Sequence, residues 1–453
     1  MDTKGWDVIF ACSVDVANKQ LSKHMQQANL VFTYEDDNIS ITGTFGIWEI
    51  ITGGSAKLLH FQTPITQGTI HIKKTNADLD ISGICPIMEL QLDFIQNSSL
   101  PNMRNLQFNF KETGLAPGDT KSGAVTVVNP DTTGKISSNI IEVGLVHNYL
   151  PKIFINNKDN LSYVFAEMNL VPPSSSSWLA PKKFDYMYGA SETGKDVICI
   201  LTVTKDRDIS QLSHSIDGNL LDNQHDMFIL TSDGMFLEHI ILPTLPNVYG
   251  NGATASNFIY EGKSNTSGII KNRGNLNCNT VKVGAIYYYP KITSLSIHVE
   301  NNKIVTSAQG KCDISGLDGA YISFSIDGKN EFKYDNSSNT ITFLPDNNPH
   351  VTSSKHIPTE EEIGIDIGAA ILAFFTFGAT TVVLPTLIGI AEGVLQGVTD
   401  SIKEDVKNEQ SIQFTNNFFT SDKIVVKWNG VDDFIIQDCG LSQSFYARGN
   451  FNL

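Results

Sequence analysis

Residues 367–391, IGAAILAFFTFGATTVVLPTLIGIA, run for twenty-five positions without a charge. Any fold of this chain must cover that stretch or place it in a bilayer. Its length is enough to span one, since about 20 apolar residues suffice. A spanning helix also expects basic residues on one flank. Here the upstream flank is Glu360, Glu361, Glu362 and Asp366. Downstream come Glu392, Glu404 and Asp405, with Lys403 and Lys407 as the nearest cations. Pro385 and the glycines Gly368, Gly378 and Gly389 weaken a continuous helix. Thr359 and Glu362, after Pro358, form a capping-box pattern. Beyond Pro385 the residues Leu387, Ala391, Val394, Leu395, Val398 and Ile402 share one helical face. Three readings follow: a buried pair of apolar helices, a hairpin that enters a membrane on a trigger, and a constitutive span. The acidic flanks favour the first.

The chain has 453 residues, too many for one ordinary core, so two domains are expected. Its net charge is −16, from 32 Lys+Arg and 48 Asp+Glu. That balance argues against nucleic acid as a partner, because phosphate contacts need clustered cations. The six cysteines, Cys12, Cys85, Cys199, Cys278, Cys312 and Cys439, have no zinc or redox spacing and are expected to be unpaired and mostly buried. The first residues lack a basic segment followed by a long apolar run, so no Sec signal peptide is expected. Synthesis in the cytoplasm, with any release by another route, is the corresponding expectation.

Along the chain, residues 6–28 predict an amphipathic helix, with Phe10, Val14, Ala17, Leu21, Met25 and Ala28 on one face. The period then changes to two. Ile39 and Ile41, Ile70 and Ile72, Met88 to Phe94, and Leu106 to Phe110 predict half-buried antiparallel strands. Residues 171–178 read as a loop, and 197–204 as a strand. From Asp233 a helical face returns through Phe236, Leu237, Ile240, Ile241 and Leu245, with a kink at Pro243. The Gly- and Asn-rich residues 246–256 mark the domain boundary, giving domains 1–246 and 257–453. Hairpins are predicted at Asn301-Asn302, at Asp327-Gly328 with Phe332 and Tyr334 returning, and at Asn429-Gly430 with Phe434 and Ile436 returning.

No catalytic set can be assembled. Residues 189–196, GASETGKD, match a P-loop until Asp196, where magnesium and phosphate need a hydroxyl. The next segment reads as a strand, so the helix N-terminus that would hold phosphate is missing. A turn between two strands is the better reading, with Lys195 the residue on which a nucleotide site would depend. Ser191 does not sit in a nucleophile elbow. The histidines are isolated, and no metal set or cofactor motif appears. Lys73-Lys74, Lys182-Lys183, and Lys19 with Lys23 could meet a lipid phosphate, but solvated positions explain them as well.

The run Gly5-Trp6-Asp7-Val8-Ile9, then Cys12-Ser13 and Val16-Ala-Asn-Lys-Gln-Leu21, resembles the start of the clostridial P47 family. Further similar blocks follow in the same order. They are Trp48-Glu-Ile-Ile-Thr-Gly-Gly-Ser55, Met88-Glu-Leu-Gln-Leu-Asp-Phe94, Tyr163-Val-Phe-Ala-Glu-Met-Asn-Leu170, Arg207-Asp-Ile-Ser-Gln-Leu212, Ile216-Asp-Gly-Asn-Leu-Leu221 and Ile241-Leu-Pro-Thr-Leu245. Members of that family are encoded beside botulinum neurotoxins in OrfX-type clusters and beside related insecticidal toxins. The resemblance covers about the first 250 residues well. It implies a TULIP (tubular lipid-binding) fold of α+β class, in which curved antiparallel sheets wrap long amphipathic or apolar helices. Two pseudo-repeated halves are expected, the second holding the apolar helical stretch 363–404. The implied function is a non-enzymatic accessory protein of a toxin gene cluster.

The expected partners are a lipid (an acyl chain or a phosphoinositide), a membrane surface, or a toxin-complex protein of the same cluster. The candidate groove liners are Ile371, Phe374, Phe375, Phe377, Leu387, Ile388 and Leu395. A structural scaffold with a filled groove, or membrane insertion by a 363–398 hairpin hinged near Gly378 and Pro385, are the alternatives.

Overall fold

The structure, a computed structural model, describes residues 1–136, 139–172, 178–191, 194–216, 221–249, 251–278, 281–283, 286–314, 318–335, 337, 340–344, 346, 350–356, 411–413, 425–431 and 434–451. Two compact units are formed, each discontinuous in sequence. The N-terminal unit comprises Val8–Ile229, Asn417–Ile435 and Arg448–Leu453, and the C-terminal unit Met1–Asp7, Leu230–Asn416 and Ile436–Ala447. The expected boundary at 246–256 falls inside the second of these.

In the N-terminal unit, residues 8–13 correct the sequence reading. Val8–Ser13 is a strand with every residue buried, not the start of a helix. It pairs antiparallel with Val197–Val203, which is also wholly buried, and that strand pairs with Lys183–Gly189. Such runs, apolar on both faces, suit a strand with neighbours on either side. The helix, α1 (Val14–Met25), begins only where the Ser13 hydroxyl accepts the Val16 amide at 3.3 Å.

Four strands form a meander in the order Val31–Glu35, Ile39–Phe45, Ile65–Ile72, Ala77–Asp80. A larger antiparallel set centres on Ile87–Gln96, Met103–Asn109 and Val164–Asn169 and ends on Val426–Trp428. The second helix, α2 (Ile140–Asn156), buries Val146, Leu150, Ile153 and Phe154. Its end is pinned by Asn157, whose side chain bonds both the amide and the carbonyl of Thr33.

Gly43 lies under the Phe32 ring. A methyl there would stand 2.4 Å from Phe32 Cζ and 2.6 Å from the Gln67 carbonyl oxygen. Gly43→Ala is therefore expected to cost about 1–3 kcal/mol. An unchanged urea midpoint would mean that the ring yields freely.

In the C-terminal unit the helical face foreseen from Asp233 exists. Phe236, Leu237, Ile240, Ile241 and Leu245 are all buried. The run changes character along its length: α at Asp233–Phe236, π at Leu237–Ile241, 3₁₀ at Leu242–Thr244 around Pro243, then α at Leu245–Tyr249. The hairpin at Asn301-Asn302 also forms, with Glu300 opposite Lys303 and Asn301 at φ 57°.

The other two hairpins do not form. Tyr321–Asp335 is one 15-residue strand, and Asp327 and Gly328 pair in mid-strand with Ser307 and Thr306. The unbroken Lys303–Asp313 neighbour holds them extended. On the other edge the partner changes there from His350–His356 to Thr340–Leu344. At Asn429-Gly430 the chain does turn, with Gly430 at φ 70°. However, Val426–Trp428 pairs with Val164–Asn169, and Phe434–Ser442 neighbours Ser444–Phe451 instead of returning.

The curved antiparallel sheets expected of the α+β class are present, but the protein is mainly β, with few helices. The long helices implied by the family resemblance are not found among the described residues. The longest helices there span 12 and 17 residues.

Candidate functional site

The candidate liners Ile371, Phe374, Phe375, Phe377, Leu387, Ile388 and Leu395 lie outside the described residues, as do Gly378, Pro385 and the whole 363–404 stretch. So does the centre of the 171–178 loop. Among the described residues no helix is long and apolar enough to cross a membrane. A site must therefore be sought in what each unit, taken by itself, places together.

The N-terminal unit has a space enclosed by α1, α2 and the surrounding sheets, and aromatic side chains occupy it. Trp48 stacks on Phe154 with ring centroids 4.9 Å apart and meets Phe45 and Phe108 edge-on at 5.3 and 5.7 Å. Phe108 in turn contacts Phe61, Phe110 and Phe165. A cavity lined by Leu21, His24, Met25, Trp48, Phe108 and Tyr163 holds about 10 Å³. That is the lower limit for a single water and far below an acyl chain.

Lys183–Gly189 and Val197–Val203 pair as neighbouring strands, as the sequence implied, and several polar groups among the described residues between them are engaged. Tyr188 donates its hydroxyl to Asp196, which also accepts the Ser191 amide at 2.9 Å. Lys195 Nζ lies 2.6 Å from Asp226 Oδ1, and the Ser13 hydroxyl donates to the same oxygen at 3.2 Å. The lysine that a nucleotide phosphate would need is thus paired to a carboxylate. Burial, then the Asp226 charge, pushes the nearby Cys12 thiol well above its ordinary range. Burial likewise raises Cys199, Cys278, which reaches about 12, and Cys312, which reaches about 11. All six cysteines are free. Thiols raised in this way hold little thiolate, the reactive form, near neutral pH.

Buried carboxylates fasten loops. Glu89 accepts the Gly118 amide at 2.7 Å and faces His60 Nε2 at 3.2 Å. Gln91, on the same face of its strand, bonds the carbonyls of Asp119 and Lys121 and the Gly123 amide. Asp185 joins Lys57 at 2.5 Å and His214 at 2.9 Å. Burial raises its carboxyl, but His214 and Lys57 outweigh that and hold it below the usual range. Of the basic residues singled out in the sequence, Lys73 pairs with Glu35 and Lys183 with Asp206. Among the described residues no three His, Cys, Asp or Glu side chains are grouped to hold a metal.

In the C-terminal unit, burial pushes Asp233 up to about 6, helped by Asp2 and opposed by the Gly234 amide and Lys263. Between the ordinary carboxyl range and pH 6 the folded state then binds more protons than the unfolded one. Its stability accordingly rises as pH falls through 6. Asp233→Asn is expected to match or exceed the parent protein in thermal midpoint at pH 7.5. That advantage should fade towards pH 4, and an advantage that grows on acidification would refute it.

A sequence profile described as OrfX-like, Protein OrfX2/OrfX3/P47, matches residues 3–341. The chain is 31% identical to Protein P47 of Clostridium botulinum (strain Kyoto / Type A2), with 100% of both chains covered. It is 23% identical to Protein OrfX3 of Paraclostridium bifermentans, over 100% of this chain and 98% of that one. The fold matches the structure of P47 from Clostridium botulinum A2 with a TM-score of 0.81 at 30% identity, covering 99% and 98% of the two chains. It matches P47 of Clostridium botulinum E1 with a TM-score of 0.73 at 27% identity, covering 99% of each.

Proposed function

The chain belongs to the OrfX-like family of OrfX2, OrfX3 and P47 proteins, and from that premise we propose that it is a non-enzymatic accessory protein of a bacterial toxin gene cluster that works by surface contact with a partner protein of the same cluster. The observation that carries this reading is the filled interior of the N-terminal unit. Among the described residues the cavity beside this aromatic core holds about 10 Å³, too little for an acyl chain. The surface does offer contacts. Leu100 is 55% exposed and Val171 64% exposed, and the Leu170 amide bonds the Asn102 carbonyl, which brings both to one end of the sheet.

A second reading rests on the sequence of residues 363–404. There the tubular lipid-binding arrangement implied by the family would be completed, with Phe374 and Phe377 among the liners. An acyl chain buried among them would gain about 0.8 kcal/mol per methylene.

Native mass spectrometry of the purified full chain, followed by solvent extraction, separates the two readings. The first expects a mass without lipid and co-purification with products of neighbouring genes. A stoichiometric bound lipid, lost on polar substitution of Phe374 and Phe377, would overturn it in favour of the second.

A further inference from the structure

The C-terminal unit carries a cleft that the reading above does not use. It is a shallow, solvent-open depression of about 650 Å³ on the sheet made by Lys291–Glu300, Lys303–Asp313, Tyr321–Asp335 and His350–His356. Small-ligand sites range over roughly 300–1,000 Å³.

Strand alternation produces the lining. Ile322, Phe324 and Ile326 are buried, while the alternate residues Tyr321, Ser323 and Ser325 line the cleft. The register places Ser323 between Lys311 and Ser354, and Ser325 between Gln309 and Thr352. Two cross-strand rows of polar side chains result. Within one row the Ser323 and Ser354 hydroxyls are 2.7 Å apart. At the end of the rows the Tyr321 ring stacks on His356, with centroids 4.7 Å apart and planes at 28°. Lys311 Nζ stands 5.8 Å from the centre of the same tyrosine ring.

The chemistry of this lining is specific. Hydroxyls and an amide both donate and accept, and cross-strand pairing sets their Cβ atoms about 5 Å apart, which presents a row of polar groups to a ligand carrying many hydroxyls. An aromatic ring offers an apolar face to the C–H surface of a sugar. Among the described lining residues there is one cation, Lys311, and no Asp or Glu. That lysine forms an exposed ion pair with Asp313 at 3.6 Å, which, unlike the largely buried Lys195–Asp226 pair, is weak enough for a ligand carboxylate to displace. One ammonium suits one carboxylate. A polyphosphate would need several cations, in a chain whose net charge is −16.

We propose that this cleft binds an oligosaccharide carrying a carboxylate sugar. Tyr321 supports the sugar ring, Lys311 holds the carboxylate, and the Gln309 amide with the Ser323, Ser325 and Thr352 hydroxyls bonds the ring substituents.

The test is calorimetric titration of the full chain with sialyllactose, with neutral lactose and with inositol hexakisphosphate. Binding of sialyllactose is expected, with at least about tenfold weaker binding of lactose, since a hydrogen bond to a charged group is stronger than one between neutral groups. Lys311→Gln, at a side chain 45% exposed, should lose about the same factor for sialyllactose while keeping the thermal midpoint. Tyr321→Ala should weaken both sugars. The proposal is overturned if no sugar binds at millimolar concentration, if inositol hexakisphosphate binds more tightly than sialyllactose, or if Lys311→Gln binds sialyllactose as the parent does.

Discussion

Trp48→Ala will lower the unfolding free energy of the N-terminal unit by about 3–5 kcal/mol, the usual cost of truncating a fully buried large aromatic. Trp48 is 1% exposed. Its ring is shared by Phe45, Phe108 and Phe154, which come from a meander strand, a strand of the larger sheet and α2. Removing it opens a cavity between three elements that cannot all collapse at once. Trp48→Phe separates volume from polarity. The indole N–H finds no hydrogen-bond partner among the described residues, so replacing it with a benzyl ring gives up area but removes that buried donor. That variant should cost roughly 1.5 kcal/mol or less. Urea unfolding followed by near-ultraviolet circular dichroism reads both. A cost for Trp48→Ala below about 1 kcal/mol would mean that the interior is an open groove rather than a packed core, and would undercut the proposed mode of action.

The fate of particular residues shows what the sequence could and could not reveal. Ile39, Ile41 and Ile70 were legible as inward-facing strand residues because one face of their sheet is wet, and alternation records that. All three are buried. In Ile87–Gln96 the same logic misplaced Glu89 and Gln91 on a wet face. Both are 5% exposed, because the 118–123 loop folds over them and supplies their partners. No local pattern encodes a loop some thirty residues away. Val8–Ser13 satisfied a helical period by coincidence. What decides its state is pairing with Val197–Val203, far along the chain. Asp327-Gly328 carried a strong turn signal and was overridden by a continuous neighbouring strand.

The candidate site followed the same division. Residues 189–196 read as a turn between two strands because the segment after them reads as a strand, and Lys183–Gly189 does pair antiparallel with Val197–Val203. The hydroxyl-lined cleft was invisible because its rows come from strands that meet only in the folded sheet. Serines at alternate positions read simply as solvent-facing.

Asp131→Ala is expected to be the other costly substitution, at about 1–3 kcal/mol, because it removes the acceptor of four hydrogen bonds at once, one of them from the buried Ile136 amide. Asp131 follows Ala124–Asn129 and precedes α2, and it is 8% exposed. One carboxylate oxygen accepts the Cys85 amide at 3.1 Å, the Thr133 amide at 2.9 Å and the Thr133 hydroxyl at 2.7 Å. The other accepts the Ile136 amide at 3.3 Å. The group thereby ties the approach to α2 onto the segment that leads into Ile87–Gln96. Burial raises its pKa, but these bonds outweigh burial and set it below the ordinary carboxyl value. The sign of the pH effect follows. Below the unfolded pKa of about 4 the unfolded state binds more protons than the folded one, so stability falls with acidification. The contribution is complete above that value and is lost as pH drops through the lower folded pKa. The gap between parent and Asp131→Ala should therefore be full at pH 7 and shrink below about pH 4. Asp131→Asn, which keeps one accepting oxygen, should fall between them. Urea midpoints at pH 7 and pH 3 test this, and a gap of equal size at both would show that the carboxylate charge contributes nothing to holding the loop.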